Sequence, residues 1–359
     1  MKLHNILISR FSALGDIAMT IPSVYNACRA NPDMRFFFLT RKHPARLFIE
    51  APENLTVIPI NTDDYKGISG IWRLSGILRR DHGIDGFVDL HDVLRTQILR
   101  ICMRLRGIHS YAIKKGRRAK HRLTRRHNKT LIPLTPTPRR YDAAFDRAGI
   151  SLAPPNPFSS VFQDCPDSKG NPDAFASVSP PKHAGEHWLA IAPFARHKGK
   201  IYPMELLDKV IAFFNARPDQ KIFIFGFGPE ESARIAQFAS RYPAVVNMAE
   251  ANIGIAAELS LLSHCDTMLS MDSANMHMAS LVGLRTVSIW GATHPYTGFL
   301  GRGQSMADTV QLDMTCRPCS VFGDKPCFRG DYHCLSGITP QIIIQRILNP
   351  TRQTPSDKP

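Results

Sequence analysis

The chain of 359 residues has no uninterrupted apolar run near the roughly 18–20 residues that span a bilayer, so no transmembrane helix is expected. Its start, Met1-Lys2-Leu3-His4-Asn5-Ile6-Leu7-Ile8-Ser9-Arg10, returns to charge after a short apolar stretch and does not read as a signal peptide. Eight cysteines are too few in so long a chain for a secreted disulfide scaffold. No Gly-x-Gly-x-x-Gly occurs, which removes the dinucleotide-binding fingerprint. Repeats in the solenoid range are missing too. Residues 93–141 contain no Asp or Glu at all.

What is present is globular. Hydrophobic residues make up 43% and charged residues 21%, a balance that excludes a mainly disordered or collagen-like chain. The length suits two domains better than one core. A soluble, cytoplasmic protein is expected, and contact with the inner face of a membrane is compatible with its charge. Lys+Arg 45 against Asp+Glu 30 gives +15, and the fifteen Lys and Arg of residues 93–141 equal that whole excess. Such a field attracts an anionic partner: nucleic acid, an anionic membrane surface or an acidic glycan. A merely solvated basic face is the plainer alternative.

Short β-branched or aromatic runs alternate with helical patterns from end to end. Strands are expected over 6–9, 35–40, 55–60 and 87–90, with helices over 17–30 and 94–105. The pattern restarts with strands over 188–192, 222–225, 268–271 and 286–290. Helices over 204–215, 230–240, 255–263 and 274–281 separate them. This alternation predicts βαβ units and parallel sheets, hence two doubly wound Rossmann-like domains. The expected division is an N-terminal domain over 1–155, a Pro/Ser-rich linker with an irregular strand or two over 156–185, a C-terminal domain over 186–349 and a disordered tail over 350–359.

Four loops stand where chemistry can occur. Ser12-Ala13-Leu14-Gly15-Asp16 follows a strand end, where open α/β sheets bind ligands. Asp16 can accept a proton from a substrate hydroxyl, or simply cap its helix. Arg196-His197-Lys198-Gly199-Lys200-Ile201-Tyr202-Pro203 places cations before a helix opened by proline, a natural phosphate site or a solvated loop. Asp272-Ser273-Ala274-Asn275-Met276-His277 puts hydroxyl and amide groups at a helix start with His277 one turn in. Here too a cap and a buried structural histidine are the plain alternative. Gly226-Phe227-Gly228-Pro229-Glu230-Glu231 is a strand-to-helix turn in which Glu230 can hold a ribose hydroxyl or complement the helix dipole.

Taken together and in order, these stretches resemble the ADP-heptose:lipopolysaccharide heptosyltransferase family, inverting glycosyltransferases of the GT-B type. The resemblance covers nearly the whole chain, to about Leu348. It implies two domains facing across a cleft, with the acceptor on the first domain and the nucleotide-sugar on the second. Packing of the last helix back on the N-terminal domain is left open. Asp16 takes the family's catalytic-base position. Lys200, in Lys200-Ile201-Tyr202-Pro203, takes that of the lysine facing the donor diphosphate, with Arg196 beside it. Glu230 takes the ribose-binding position, which Glu231 contests. Asp272, Ser273, Ala274 and His277 match the donor signature, and Gly291-Ala292-Thr293-His294-Pro295 follows it. Ala274 replaces the usual glycine and Tyr202 the usual tryptophan.

The implied reaction moves heptose from ADP-heptose to inner-core lipopolysaccharide by one in-line attack. Lys200, Arg196 and the helix start at Ser273 receive the charge of the departing ADP. No Asp-x-Asp sits at a strand end, since Asp63-Asp64 lies in a turn-like segment, so neither a catalytic metal nor a cofactor is expected. Ser12, Arg95, Lys114, Arg117 and Arg118 are the expected contacts to an anionic, lipid-linked core glycan, and the stretch 114–129 is also suited to anionic headgroups. Cys316, Cys319, Cys327 and Cys334 could bind structural zinc, although only the first pair has Cys-x2-Cys spacing. Cys28, Cys102, Cys165 and Cys265 read as buried small hydrophobes. A different nucleotide-sugar in the same fold is the nearer alternative. A nucleic-acid-binding protein is the distant one, disfavoured because 114–129 lacks Phe and Tyr for stacking.

Overall fold

The computed structural model describes residues 3–350; the part of the expected tail from 351 onward lies outside the described residues. The chain divides into two compact units, one of residues 3–115 and 136–161, the other of 116–135 and 162–350.

The first unit holds β1 (Asn5–Ser9), β2 (Arg35–Arg41), β3 (Leu55–Ile60), β4 (Gly86–Asp89) and β5 (His109–Ala112). They form one parallel sheet in the order β3-β2-β1-β4-β5. β1 is buried along Ile6, Leu7 and Ile8, and β2 along Phe36, Phe37, Phe38 and Leu39, as expected of strands covered by helices on both faces. Chain order runs outward in one direction from β1 to β3 and then reverses to β4. The topological switch point therefore lies between β1 and β4, whose register pairs Ser9 with Asp89.

The second unit holds β6 (His187–Ala192), β7 (Gln220–Ile224), β8 (Val245–Asn247), β9 (Thr267–Met271), β10 (Thr286–Ile289) and β11 (Thr309–Val310). They form a parallel sheet in the order β11-β10-β9-β6-β7-β8. Here the switch point lies between β6 and β9. Its core gathers Leu189, Ile191, Leu269, Met271, Val287 and Ile289 under the helices Met204–Asn215 and Pro340–Leu348. That last helix packs on Met204–Asn215, β10 and β11, within the second unit, because Ile343, Ile344 and Ile347 form its buried stripe.

Two segments differ from the sequence reading. The proline-rich stretch contains no strand; it carries two single 3-10 turns, Pro166–Ser168 and Pro172–Phe175, whose prolines withhold ladder donors. Phe175 anchors the second turn, fully buried with its ring 6.0 Å from Trp188 and 5.3 Å from His264. The basic segment 116–135 belongs to the second unit. Lys129 Nζ donates to the carbonyls of Cys316 and Pro318, and the Leu134 N–H donates to Tyr296 O at 2.9 Å. Lys120 and Arg126 sit over the rings of Phe299 and Phe328 at 4.1 and 4.9 Å.

Candidate active site

At the switch point of the first sheet, β1 delivers Arg10 and β4 delivers His91. Arg10 is nearly buried; its Nη1 donates to Leu90 O at 2.5 Å, and its guanidinium lies over the Tyr141 ring at 5.6 Å. Arg10 Nη2 meets Asp16 Oδ2 at 2.9 Å, and the same oxygen accepts the Ala13 N–H at 3.3 Å. Asp16 therefore does cap the short helix Leu14–Ala18, while its side chain keeps 25% of its surface in solvent. Cap and exposed carboxylate coexist in one residue.

His91 braces the same loop from the other strand. Its Nδ1 accepts the Phe11 N–H at 3.4 Å, which leaves the proton on Nε2, 3.4 Å from Ser12 Oγ. Burial, then the charges of Arg10 and Lys115, push His91 down to about 3, so the ring is neutral at physiological pH. Beneath it, buried Asp89 accepts the N–H groups of His91 and Asp92 at 2.9 and 3.0 Å and faces Arg100 Nε at 3.3 Å. Burial raises the Asp89 carboxyl despite those partners.

Of the expected acceptor contacts, Ser12 lies in this loop. Arg95 does not point its charge into open space: its Nη1 donates to Thr62 O and Tyr65 O at 3.1 and 2.9 Å, tying its helix to the turn Thr62–Tyr65. Lys114 is exposed in the first unit. Arg117 and Arg118 are exposed on the helix Arg117–Thr124 of the second unit, so the three basic residues do not share one body.

At the switch point of the second sheet, the loop after β6 delivers Lys200 and the end of β9 delivers Asp272. Lys200 Nζ lies 3.0 Å from Asp272 Oδ2, with 16% and 7% of the side chains exposed. Beside them begins the helix Ala274–Leu281, whose N-cap Ser273 makes no side-chain cap. The Ser273 hydroxyl instead lies 3.4 Å from Ser270 Oγ. Ala274 is half-buried at the first helical position and His277 is buried one turn further on. Arg196 is exposed in the loop after β6. Tyr202 is a core residue, its hydroxyl donating to Ile338 O at 2.7 Å.

The turn after β7 separates its two glutamates. Glu231 Oε2 accepts the Phe227 N–H at 2.7 Å and closes the start of the helix Gly228–Ala239, whereas Glu230 is exposed. Gly226 is closely packed: a Cβ there would lie 2.8 Å from Ile235 Cδ1 and 3.2 Å from Phe194, so those side chains would have to shift.

Arg317, which no motif suggested, fixes the loop after β10. Nearly buried, it donates through Nη2 to Trp290 O and Thr293 O, both at 2.9 Å, and through Nε to Gly291 O. The Ala292 N–H in turn donates to Gly199 O at 2.8 Å, linking that loop to the one carrying Lys200. Burial and then Arg317 push His294 down to about 4. A single arginine in a loop offered no signal in the sequence.

The C-terminal thiols Cys316, Cys319, Cys327 and Cys334 lie close enough for their charges to act on one another, but three of them have partners of their own. Cys319 Sγ turns to Ala292 O at 3.8 Å and Cys327 Sγ to Asp331 Oδ1 at 3.9 Å, while Cys334 joins the apolar core. No three His, Cys, Asp or Glu side chains gather as a metal site among the described residues. Cys28, Cys102 and Cys265 are buried, and Cys165 is only half-buried.

Comparison with known proteins agrees with this layout. Curated relatives are lipooligosaccharide heptosyltransferase 2 proteins of two Campylobacter jejuni strains, one 29% identical over 86 residues, the other 28% over 88. Each alignment spans 24% of this chain and 26% of the relative, so only about a quarter of those proteins is matched. Among solved structures, a glycosyltransferase family 9 protein from Veillonella parvula has a TM-score of 0.69 at 14% identity, covering 97% of this chain and 99% of that one. The ADP-heptose lps heptosyltransferase II of E. coli gives 0.65 at 14% identity, covering 96% and 97%. The E. coli heptosyltransferase WaaC with ADP gives 0.60 at 16% identity, covering 84% and 92%. At these identities the likeness is one of fold, the two-unit α/β fold of the GT-B type. Residues 72–325, well over half of the chain, match the family described as glycosyltransferase family 9 (heptosyltransferase), and to that family this chain belongs.

Proposed function

We propose that this chain transfers heptose from ADP-heptose to the inner core of a lipid-linked lipopolysaccharide precursor, with inversion at the anomeric carbon. The observation that carries the reading is the coincidence of both candidate sites with the switch points of their sheets: Asp16 between β1 and β4, Lys200 and Asp272 between β6 and β9.

In the proposed step, Asp16 takes the proton of an acceptor hydroxyl, whose oxygen forms the new bond to the anomeric carbon. The bond from that carbon to the diphosphate breaks, and ADP leaves with the electron pair. Lys200 and the N-terminus of Ala274–Leu281 receive the developing charge, since that helix start carries the positive end of its dipole and no side-chain cap. Arg196 adds charge from the neighbouring loop, Glu230 binds the ribose, and Asp272 and His277 line the donor site. Ser12 meets the acceptor, with Arg95 holding the wall beside it. Lys114, Arg117 and Arg118 draw in the anionic glycan over longer range. No cofactor enters this scheme, and the work is placed at the cytoplasmic face of the inner membrane.

Ala274 keeps one second reading open, a different nucleotide-sugar donor, because a methyl group stands at the helix start where glycine would leave the backbone open. A thermal-shift screen of nucleoside diphosphates separates the two, since a ligand of the native state raises apparent stability by mass action. Stabilisation by ADP above UDP and GDP is the expected result. Preference for UDP or GDP reassigns the donor, and no response to any of them removes the donor-site assignment.

A further inference from the structure

We propose that the outward faces of the helices Gly67–His82 and Leu94–Leu105 form a docking surface for an anionic phospholipid bilayer. Both helices pack on the same face of the first sheet. Ile71, Leu74 and Leu78 of one, and Leu99, Cys102 and Met103 of the other, join a single apolar cluster with Leu7, Phe37 and Phe87. Two arginines tie them side by side. Arg95 reaches the carbonyls of Thr62 and Tyr65 ahead of the first helix. Arg106, past the end of the second, stacks on the Trp72 ring at 4.0 Å and donates to Ser75 Oγ at 2.9 Å.

Helical spacing then fixes what points outward. Leu94, Ile101 and Leu105 recur seven and four residues apart and lie opposite the buried Leu99, Cys102 and Met103. Ile68 and Trp72, one turn apart, lie on the flank that Arg106 shows to be next to the second helix. All five are open to solvent: Ile68 70%, Trp72 43%, Leu94 73%, Ile101 56% and Leu105 72%. A cluster of large apolar side chains on a water-facing surface marks an interaction site.

The charges beside them say what the partner is. The two helices carry six arginines against a single acid, Asp81, which Arg80 Nε holds at 2.7 Å. Arg95 and Arg100 are turned inward, to Thr62 and Tyr65 and to Asp89 and Asp92, so the outward charges are those of Arg73, Arg79, Arg80 and Arg104. A cavity of about 650 Å³ opens between Trp72 and the guanidinium-bearing residues Arg73, Arg79, Arg80 and Arg106. Aliphatic side chains want hydrocarbon, arginines want phosphate, and a tryptophan between them suits the headgroup boundary; a bilayer of anionic lipid supplies all three at once. No helix among the described residues is long and apolar enough to cross a membrane, so the contact is one of surface attachment. The surface shares only Arg95 with the proposed acceptor wall, as a tie between the helices, and none of the variants that test it touches the Asp16 or Lys200 sites, so it holds or fails independently of the transfer reaction.

The test uses the full-length protein, without donor or acceptor, and vesicles of phosphatidylcholine with or without phosphatidylglycerol. Trp72 is a built-in reporter, because Trp188 and Trp290 are 1% and 0% exposed. Phosphatidylglycerol vesicles should co-sediment the protein, shift its emission to the blue, allow quenching by brominated lipid, and release it as salt rises. The pair Ile101→Ser with Leu105→Ser should lower partitioning about tenfold or more. The pair Arg79→Glu with Arg80→Glu should lower it further, with unchanged melting temperature showing that the fold is kept. Arg117→Glu with Arg118→Glu should retain most of the binding. Partitioning indifferent to phosphatidylglycerol, binding that survives both helix pairs, or loss through Arg117 and Arg118 instead would overturn the proposal. So would duplex DNA held by the same arginines more tightly than vesicles at matched salt.

Discussion

The two switch points are built around the same device used in opposite senses. In the first unit the cation is the enclosed partner: the Arg10 side chain is 8% exposed and Asp16 25%. In the second the anion is enclosed: Asp272 is 7% exposed and Lys200 16%. One loop therefore presents a carboxylate held and oriented by a buried guanidinium, the other an ammonium held by a buried carboxylate. A proton acceptor and a phosphate ligand are what these two exposed ends can be. The hidden partner fixes position in both, and the sign it leaves outside separates the two roles.

The largest test of that contrast is Asp16→Asn. Asparagine keeps the shape and an oxygen for the Ala13 N–H but gives up the basic carboxylate. Turnover should fall on the order of 10²–10⁴-fold. Stabilisation by ADP, which the proposed function assigns to the second unit, should stay near wild type. Retained turnover would end the assignment of the base and leave Asp16 as a helix cap.

Lys200→Met should act on binding and folding together. It removes the exposed cation and strands Asp272, and breaking a buried pair in this way costs about 3–5 kcal/mol, read as a lower melting temperature. Adding Asp272→Asn should recover much of that stability without restoring ADP binding. If the double variant binds ADP like wild type, the second loop is not the anion site and the symmetry of the comparison fails.

Much of this layout was legible in the chain itself. Strand expectations at 6–9, 35–40 and 268–271 lie within a residue of β1, β2 and β9, because strands buried on both faces read as apolar runs. The edge strand β3 matches 55–60 through its β-branched residues instead. The edge strand β5, His109–Ala112, lies partly in solvent and has no such run. Val245–Asn247 and Thr309–Val310 are too short to show one. The helix Gly67–His82 was hidden by Gly67, Gly70 and Gly76, poor helix formers that tertiary packing overrides. Gly70 in fact fits only as glycine, since a Cβ would lie 2.6 Å from the Tyr65 carbonyl carbon. At the sites, Asp16, Lys200 and Asp272 announced themselves as charges after strand ends. Their supports did not, because Arg10–Asp16 and Arg317–Gly291 depend on loops meeting in space. The attachment of 116–135 to the second unit rests on long-range contacts of the same kind.

A smaller effect compares two neutral histidines, His91, which braces the first loop, and His294, whose Nδ1 accepts the Tyr296 N–H at 3.1 Å in the loop after β10. His91 and His294 are both held below their ordinary 6.5, to about 3 and about 4, by burial first and then by Arg10 or Arg317. The neutral form is the one the fold keeps, so their stabilising contribution is full above pH 6.5 and is lost as pH falls toward those values. Between pH 6.5 and about 5 the chain should lose about 1–2 kcal/mol at His91 and less at His294, whose ring is more open to screening by solvent. His91→Gln and His294→Gln should each flatten the melting-temperature profile over that interval. NMR titration should show both rings uncharged at about pH 5.5. If His91 protonates near 6.5, its ring does not accept from the Phe11 N–H, and the first loop loses its brace.

The smallest test lies inside a single turn of the second unit. Glu231 accepts the Phe227 N–H at 2.7 Å, the reciprocal half of a capping arrangement, while exposed Glu230 stands one residue before it. Glu231→Ala should cost about 1 kcal/mol of stability through the lost cap. Glu230→Ala, an exposed substitution, should leave melting within about 0.5 kcal/mol of wild type. The donor data should run the other way, with Glu230→Ala weakening ADP-dependent stabilisation and Glu231→Ala largely keeping it. The two glutamates are adjacent and chemically identical, so a crossed result separates support from recognition within one loop, as Arg10 from Asp16 and Asp272 from Lys200 are separated at the switch points. An uncrossed result, in which Glu231→Ala alone weakens ADP, moves the ribose contact to the capping residue and makes support and recognition the same group there.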